Sequence, residues 1–322
     1  MTIIDHACLD LLVSPGRFLL CHMKVFTVAT DAEGYFPLLQ QTCADFGYDL
    51  HVLGWRQVWT GLLLKPELYT RALEALPAGE IVLCVDAFDV FVMARVEEVR
   101  RKFVESGHAV LCSADREYTS IEWIQRIADK MMTDDLSFSP DKFPTPTTRY
   151  KRLNSGLIVG YAGALRDVLI GARRLIAPGI RNDQTPLTKY YLQHPDRIAL
   201  DTRCAIFQSL VRTRGLPGCG SISGDDRGPD VHWEQRADGT RRLRNLETGE
   251  YPCILHGYRD LDMTPLIGEA GYTPPRYKVG RKLRHFRNHV LYYVKRSLPF
   301  AAHSLRHDLG RGIEKVIKAL TR

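Results

Sequence analysis

The sequence contains no pair of cysteines in the C-x-x-C spacing that zinc ribbons and redox sites require, although it has eight cysteines. Several of them, such as Cys84 and Cys112, lie inside apolar runs, where a reduced thiol packs as a small hydrophobic side chain. We therefore expect reduced cysteines and a cytoplasmic location, since the cytosol keeps thiols reduced.

The sequence also lacks any uninterrupted apolar stretch close to the roughly 20 residues that cross a bilayer. Residues 1–22 are mildly apolar, but Asp5 and Asp10 precede or interrupt the apolar run where a signal peptide carries positive charge. Because Met23 opens a strand-like run, Met1 and Met23 are alternative starts of the protein. We expect residues 1–22 to form an N-terminal extension.

A net positive charge is lacking outside residues 276–322. That segment holds 13 Lys and Arg residues against Asp308 and Glu314, so it carries +11, which leaves −4 for the rest of a chain whose formal net charge is +7. A nucleic-acid-binding fold would carry its own basic groove, so this class is disfavoured. Apolar residues recur in the segment at helical spacing, which predicts a basic amphipathic helical tail. The tail would either lie peripherally on the inner face of an anionic membrane or pack on the preceding domain.

Within its 322 residues, 45% of them hydrophobic, the chain alternates strand-like and helix-like segments. This order predicts an α/β fold with a parallel-rich sheet and one large core. The predicted strands are Lys24–Thr30, Asp49–Leu53, Ile81–Val85, Ala109–Ser113, Leu153–Tyr161 and Tyr251–Leu255. The predicted helices include one that starts at Pro66 and one over Val96–Ser106, which Gly107 ends. We expect long loops over Thr133–Arg152 and Gly215–Gly228, and a hairpin turn at Asp238-Gly239.

The sharpest motif is VDAFDV, in which a wholly apolar strand runs into Asp86 and Asp89. Ligands of open α/β sheets bind beyond the carboxyl ends of strands, and two carboxylates there supply oxygen ligands for Mn²⁺ or Mg²⁺. His256 ends a second apolar strand, and its imidazole would complete a mixed oxygen and nitrogen site. Alternatively, the aspartates cap and solvate a turn, and the histidine is a hydrogen-bonded structural residue.

Two further motifs carry polar groups next to helices or strands. Asn154-Ser155-Gly156 offers donors to a hydroxyl-rich ligand and a glycine that lets backbone approach closely, or else it is an ordinary turn. Asp183 and Gln184 enter a helix, where Asp183 either caps the helix or contacts a sugar.

Several motifs follow one another along the chain in the order TVAT, VDAFDV, RLNSGLIVGYA, NDQ followed by TKYYL, LDTRCAIFQSL and ILHG. Together they resemble the glycosyltransferase domain of procollagen lysyl hydroxylases and related viral and bacterial glycosyltransferases. The similarity runs from about Lys24 to His256. It implies a GT-A fold, that is, a Rossmann-like nucleotide-sugar-binding mixed sheet flanked by helices, over residues 23–275. The basic tail would follow as a separate segment.

The resemblance also implies roles for individual residues. Asp86, Asp89 and His256 would hold Mn²⁺, with Mg²⁺ as the alternative, against the diphosphate of a UDP-sugar. Asp183 and Asp115 would be the catalytic carboxylates. The remaining donor contacts would come from Thr27, Val28, Thr30, Trp59, Lys65, Phe88, Asn154, Gln184 and Gly257. Asn182 stands where the family has an acidic residue, which leaves Asp183 as the carboxylate of that motif.

We therefore expect a UDP-sugar-dependent hexosyltransferase that transfers a sugar, glucose or galactose first, to a protein, glycan or lipid-linked acceptor. Two other interpretations stay open. One is a nucleic-acid-binding protein that uses the basic tail, and the other is a nucleotidyltransferase, which also places aspartates at strand ends.

Overall fold

The computed structural model describes residues 23–116, 147–177, 180, 182–210, 224–225, 228–257 and 262–274. The predicted N-terminal extension (1–22), the whole of the predicted basic tail (276–322) and most of the predicted loop over Thr133–Arg152 lie outside these residues. Among the described residues, no helix combines the length and the apolar character needed to span a bilayer.

Thirteen strands and six helices make up the described part of the chain. The strands are β1 (Lys24–Val28), β2 (Asp49–Leu53), β3 (Ile81–Val85), β4 (Val90–Val92), β5 (Val110–Arg116), β6 (Tyr150–Tyr161), β7 (Ala199–Asp201), β8 (Phe207–Ser209), β9 (Gly224–Asp225), β10 (Gly228–Pro229), β11 (Val231–Gln235), β12 (Arg241–Asn245) and β13 (Ile254–His256). The helices are α1 (Phe36–Asp45), α2 (Leu64–Glu74), α3 (Val96–Ser106), α4 (Ala162–Arg173), α5 (Gln184–Gln193) and α6 (Thr264–Glu269).

The main sheet has six strands in the order β2-β1-β3-β6-β5-β7. Strand β1 runs parallel to β2 and β3, and β5 runs parallel to β7, whereas β6 is antiparallel to both of its neighbours. The predicted α/β class is therefore confirmed, and the sheet is mixed because β6 is inserted between two parallel groups. A six-stranded mixed sheet flanked by helices is consistent with a GT-A-like fold.

Both faces of this sheet are covered, which explains why β3 is a continuous apolar run. Ile81, Leu83 and Val85 pack into one core cluster, and Val82 and Cys84 pack into another. All five residues of the strand are buried. Because successive side chains of a strand point to opposite faces, only a strand buried on both sides has this composition.

A second sheet of three strands, β4-β13-β8, lies beside the carboxyl end of β3. Strand β13 is antiparallel to β4, with Ile254 opposite Val92 and His256 opposite Val90. On its other side β13 is parallel to β8. Neither β4 nor β8 was predicted, since a three-residue strand has too few residues to establish a sequence period.

Several local predictions need correction. The last predicted strand, Tyr251–Leu255, runs instead over Ile254–His256. The loop predicted to extend to Arg152 is wrong at its end, because β6 already starts at Tyr150, which pairs with Arg116 of a longer β5. Helix α2 begins at Leu64 rather than Pro66, so Lys65 lies within it. Within the predicted loop Gly215–Gly228, β9 pairs with β10, and residues 215–223 and 226–227 lie outside the described residues.

Other local predictions are confirmed. Helix α3 ends at Gly107, whose φ of 70° is the left-handed conformation that glycine adopts without steric cost. Strands β11 and β12 form an antiparallel hairpin across the turn at Asp238-Gly239, with φ of 82° at Gly239. Both features are determined by a few neighbouring residues, so they can be predicted without knowledge of the tertiary structure.

Candidate active site

Asp86 and Asp89 lie in the short turn between β3 and β4, and His256 is the last residue of β13. The pairing of His256 with Val90 places the imidazole directly beside this turn. One ligand atom from each of the three residues lies within 4.8 Å of the others. The Nε2 atom of His256 is 3.7 Å from Oδ2 of Asp86 and 3.5 Å from Oδ1 of Asp89. The structure thus brings the three predicted ligands together.

These separations suit a divalent cation. Two oxygen or nitrogen atoms held at about 2.1 Å from one ion lie about 3 Å apart at a right angle and about 4.2 Å apart when opposite each other. Two carboxylates and one imidazole form a mixed donor set of the kind that Mn²⁺ accepts. The donor chemistry and the spacing therefore both fit the predicted ion.

Backbone hydrogen bonds hold the ligands in place. The amide of Asp86 donates to the carbonyl of Gly156 at 2.8 Å, which ties the turn to β6. The amide of Gly257, the residue after His256, donates to the carbonyl of Asp89 at 2.8 Å. The turn and the end of β13 are thus linked through main-chain groups, and Gly257 contributes its N–H to this link.

The acidic surroundings of His256 change its proton affinity. Burial of the ring lowers its pKa, but the charge of Asp89, a hydrogen bond to Asp89 and the charge of Asp86 outweigh burial and raise the pKa to about 8. The ring is therefore held by the same carboxylates that would share an ion with it.

Lys65 reaches the site from the first turn of α2. Its Nζ atom lies 2.5 Å from Oδ1 of Asp86 and 2.9 Å from Oδ2 of Asp183, and its side chain is only 7% exposed. Burial lowers the pKa of Lys65, whereas Asp183 and Asp86 raise it, and the net result is a pKa well above the usual value. The ammonium thus stays charged and bridges Asp86, a candidate metal ligand, and Asp183, the residue just before α5.

Asp183 stands at the N-cap position of α5 but makes no side-chain capping bond. The neighbouring Asn182 fills that role, since its Oδ1 accepts a hydrogen bond from the amide of Thr185 at 2.7 Å. Of the two interpretations of Asp183 drawn from the sequence, helix capping is therefore the one that this geometry disfavours. The carboxylate instead pairs with Lys65, which also contacts the candidate metal ligand Asp86.

Asp115 and Asn154 form a buried pair on the adjacent strands β5 and β6. The Nδ2 atom of Asn154 donates to both carboxylate oxygens of Asp115, at 3.0 and 3.1 Å. Oδ1 of Asn154 accepts a hydrogen bond from the amide of Gly156 at 2.7 Å. Exposure is 0% for Asp115 and 3% for Asn154. Both side chains are thus engaged inside the protein.

Residues predicted to contact the donor differ in accessibility. Thr27 is fully buried and its hydroxyl donates to the carbonyl of Val85, and Val28 is buried as well. Thr30 and Phe88 are half-buried, and Trp59, on the loop before α2, is exposed. The side chains that face solvent are therefore those of Thr30, Phe88 and Trp59. Gln184, the first residue of α5, accepts a hydrogen bond from the amide of Ser155 at 3.4 Å.

Comparison with known proteins identifies the family. The model of the PLOD GT domain, a glycosyltransferase domain, matches residues 21–266. The chain belongs to the PLOD GT domain family. The resemblance noted in the sequence is thereby confirmed, and it covers every residue of the candidate site.

Relatives of this PLOD GT domain are longer proteins. It is 29% identical over 211 residues to procollagen-lysine,2-oxoglutarate 5-dioxygenase 2 of Mus musculus, which covers 61% of the chain and 26% of the relative. It is 29% identical over 253 residues to procollagen-lysine,2-oxoglutarate 5-dioxygenase of Drosophila melanogaster (73% and 30%). It is 27% identical over 261 residues to the multifunctional procollagen lysine hydroxylase and glycosyltransferase LH3 of Homo sapiens (76% and 30%). The chain thus spans less than a third of the length of these curated relatives.

One element of the site in this PLOD GT domain escaped the sequence analysis. Gly34 precedes α1 with a φ of 56°, and a Cβ atom there would lie 2.6 Å from the carbonyl oxygen of Phe88. The amide of Tyr35 donates to the same carbonyl at 2.9 Å. The segment between β1 and α1 therefore packs tightly on the turn that carries Asp86 and Asp89. A lone glycine just before a helix was the available signal.

Proposed function

We propose that this chain is a divalent-metal-dependent glycosyltransferase that moves a hexose from a UDP-sugar to an acceptor. The observation that carries the proposal is the convergence of Asp86, Asp89 and His256, in a chain of the PLOD GT domain family, with ligand atoms within 4.8 Å of one another. Mn²⁺ is the ion we assign, with Mg²⁺ as the alternative, because the donor set includes an imidazole.

An ion held by these three residues would offset the negative charge that develops on the departing nucleoside diphosphate. The protein's own contribution is to hold the ligands before the donor arrives. His256 is 7% exposed and Asp89 is 13% exposed, whereas Asp86 is 26% exposed. Fixed ligands of this kind need little reorganisation during the reaction, which is the main advantage of a folded site over water.

Asp183 is the carboxylate we assign to the transferred sugar. In the reaction the bond between the anomeric carbon and the diphosphate oxygen breaks, a bond to an acceptor hydroxyl oxygen forms, and the acceptor proton is released. Asp183, paired with Lys65 and free of a capping duty, can accept hydrogen bonds from sugar hydroxyls and orient the reacting carbon. Gln184, the next residue, contributes an amide to the same region.

Base recognition is assigned to the accessible part of the predicted pocket. Thr30, Phe88 and Trp59 expose surface near the loops that follow β1 and β2 and the turn that follows β3. An aromatic ring there would stack on the uracil base. The buried Thr27 supports this region from below through its bond to the carbonyl of Val85.

The assignment predicts metal-dependent release of UDP from a UDP-sugar, which is measurable without knowledge of the acceptor. Purified protein would be incubated with UDP-glucose or UDP-galactose, with Mn²⁺ or with a chelator, and released UDP would be quantified. The double variant Asp86→Ala/Asp89→Ala should lose more than about 100-fold of the activity. Asp167→Ala, which removes an exposed carboxylate on α4, is the matched control. Full activity in the double variant would refute the metal assignment.

The acceptor and the site of action are further parts of the proposal. The acceptor is a protein, a glycan or a lipid-linked glycan, and we place the enzyme in the cytoplasm with residues 276–322 on an anionic membrane surface. Liposome flotation of the full chain and of a truncation after Pro275 tests the second part. Equal binding by the two forms would eliminate the membrane role. Family membership supports sugar transfer over the nucleotidyltransferase and nucleic-acid-binding interpretations.

A further inference from the structure

Strand β6 contains an irregularity at the candidate active site. Ser113 pairs with Asn154, and the preceding residue of β5, Cys112, pairs with Ile158, so the register shifts at this point. Ser155, Gly156 and Leu157 thus form a bulge relative to β5, while Leu157 still pairs with Val85 on the other side. Bulges next to active sites redirect a strand and change which groups it presents.

Gly156, in the middle of this bulge, lies against the ring of His256. A Cβ atom built on Gly156 would be 2.3 Å from Cε1 and 2.9 Å from Nδ1 of that ring, and 2.9 Å from Oδ1 of Asn154. Real Cβ atoms essentially never approach another heavy atom closer than 3.0 Å. Gly156 is not among the described glycines with positive φ, so its backbone conformation is open to alanine. Glycine is therefore required here because a side chain would clash with the imidazole.

The backbone of Gly156 is engaged on both sides. Its amide donates to Oδ1 of Asn154 at 2.7 Å, and Asn154 in turn donates to Asp115. Its carbonyl accepts the hydrogen bond from the amide of Asp86 at 2.8 Å. Gly156 thus contacts two candidate metal ligands: its backbone carbonyl accepts a hydrogen bond from Asp86, and its Cα packs against the ring of His256 where another residue would carry a Cβ atom.

We propose that Gly156 is a positioning residue for the metal centre, and that the buried Asn154–Asp115 pair anchors it there. This inference rests on the proposed function, since it concerns the ion that Asp86, Asp89 and His256 would hold. It gives Asn154 and Asp115 a supporting role in place of direct contact with the sugar. Groups that orient metal ligands from behind are known to influence affinity strongly.

The expected size of the effect follows from the contact distances. To restore a separation of 3.0 Å from a Cβ on Gly156, the ring of His256 or the bulge must move by about 0.7 Å. The ring of His256 is 7% exposed, and the strand that carries it, β13, is paired with β4 on one side and β8 on the other. Neither the ring nor its strand therefore has much free space to move into. Ligand distances in metal sites tolerate only about 0.2 Å, so a shift of this size removes His256 from its place.

Titration of the full chain with Mn²⁺ alone, without nucleotide, tests the inference by calorimetry. Gly156→Ala should bind Mn²⁺ about 10- to 100-fold more weakly than the wild type. Gly79→Ala is the matched control, because a Cβ atom on Gly79 meets nothing within 4 Å, and it should bind as the wild type does. An affinity of Gly156→Ala within twofold of the wild type would overturn the inference.

A thermal-unfolding cycle keeps the inference testable if Gly156→Ala is unstable. If the imidazole is the group that requires glycine, Gly156→Ala should lower the melting temperature of the wild type by at least twice as much as it lowers that of His256→Ala. Equal losses in the two backgrounds would overturn the proposed contact. Failure of the wild type itself to bind Mn²⁺ would overturn the proposed metal function as well, whereas wild-type binding with unchanged affinity in Gly156→Ala refutes this inference alone.

Discussion

Replacement of Lys65 by methionine distinguishes an effect of this lysine on the bound ion from an effect on the nucleotide donor. Its ammonium lies 2.5 Å from Asp86 and 2.9 Å from Asp183 and is almost completely buried. Methionine keeps a long apolar side chain but removes the charge, so both carboxylates lose their cation while the packing volume is nearly retained. The change therefore tests the electrostatic contribution of Lys65 to the candidate metal site.

The metal-free variant should be less stable than the wild type. Removing one partner of a fully buried ion pair costs about 3–5 kcal/mol. Here the Asp86 side chain is 26% exposed and that of Asp183 is 11% exposed, so water can partly replace the lost ammonium. We expect a loss of about 2 kcal/mol, or about 5 °C in the melting temperature of a domain of this size.

Mn²⁺ binding should respond in the opposite direction. An ion on Oδ2 of Asp86 would lie about 5 Å from the ammonium on Oδ1, and the repulsion between charges of +2 and +1 at this distance is about 7 kcal/mol at an effective dielectric constant of 20 and about 2 kcal/mol in bulk water. Even the smaller value exceeds the free energy of a tenfold change in affinity. Lys65→Met should therefore bind Mn²⁺ at least about tenfold more tightly than the wild type.

The assay combines thermal unfolding with and without Mn²⁺ and calorimetric titration with Mn²⁺ and with UDP. Lys24→Met is the control for Mn²⁺ affinity, since Lys24 forms a more exposed ion pair of similar length with Glu80, at 2.7 Å, at the start of β1, away from the site. That variant should leave Mn²⁺ affinity unchanged. If Lys65→Met binds Mn²⁺ more weakly, the electrostatic argument is refuted. If it alters only the affinity for UDP, Lys65 acts on the donor and not on the ion.

Three further predictions concern pH and packing. Because burial lowers the pKa of His256 but the combined effects of Asp89, Asp86 and Asp115 raise it to about 8, Mn²⁺ affinity should rise about tenfold per pH unit from pH 6 towards 8 and then level off, with one proton released per ion in calorimetric titrations; a flat profile would contradict this. Burial raises the pKa of Glu98, but Arg242 and Lys102 lower it to about 2 from 4.5, so its stabilising effect is present above pH 4.5 and lost as the pH falls through 2. Glu98→Gln should cost about 2 kcal/mol in urea unfolding at pH 7, allowing for partial exposure, and less at pH 3. Gly34→Ala should lower stability by about 2 kcal/mol and weaken Mn²⁺ binding, because its Cβ would meet the Phe88 carbonyl at 2.6 Å with φ at 56°.

The last of these has a control that isolates backbone strain from the steric contact. Gly239 has a φ of 82°, and a Cβ atom there would meet nothing within 4 Å. Gly239→Ala should thus show the strain of a positive φ alone and leave Mn²⁺ affinity unchanged. Equal losses of Mn²⁺ affinity in both variants would show that the contact with Phe88 has no role in the site. For His256, the sign of the linkage in the metal-free protein is also defined. Since its folded pKa is raised, the stability it contributes is complete below pH 6.5 and is lost as the pH rises through about 8.

Much of the first half of the fold could be predicted from local patterns. The bounds of β2, β3 and α3 agree with the prediction, because alternation of apolar runs with helical periods and a terminal glycine are encoded within a few residues. The same local signal misplaced the start of α2, and it missed β4 and β8, whose three residues carry no period of their own. Sheet order was also out of reach, since β6 enters antiparallel between two parallel groups.

From the sequence alone came the chemical types at the site: two carboxylates at the end of a buried strand, a histidine at the end of another, and the order of motifs that carries the family resemblance. Tertiary structure alone decided how they act together. Pairing of His256 with Val90 brings the imidazole to the aspartates, α2 carries Lys65 between Asp86 and Asp183, and the bulge of β6 places the backbone of Gly156 against the ring. These contacts join residues far apart in the chain, and their geometry depends on strand register and packing, which no local period encodes.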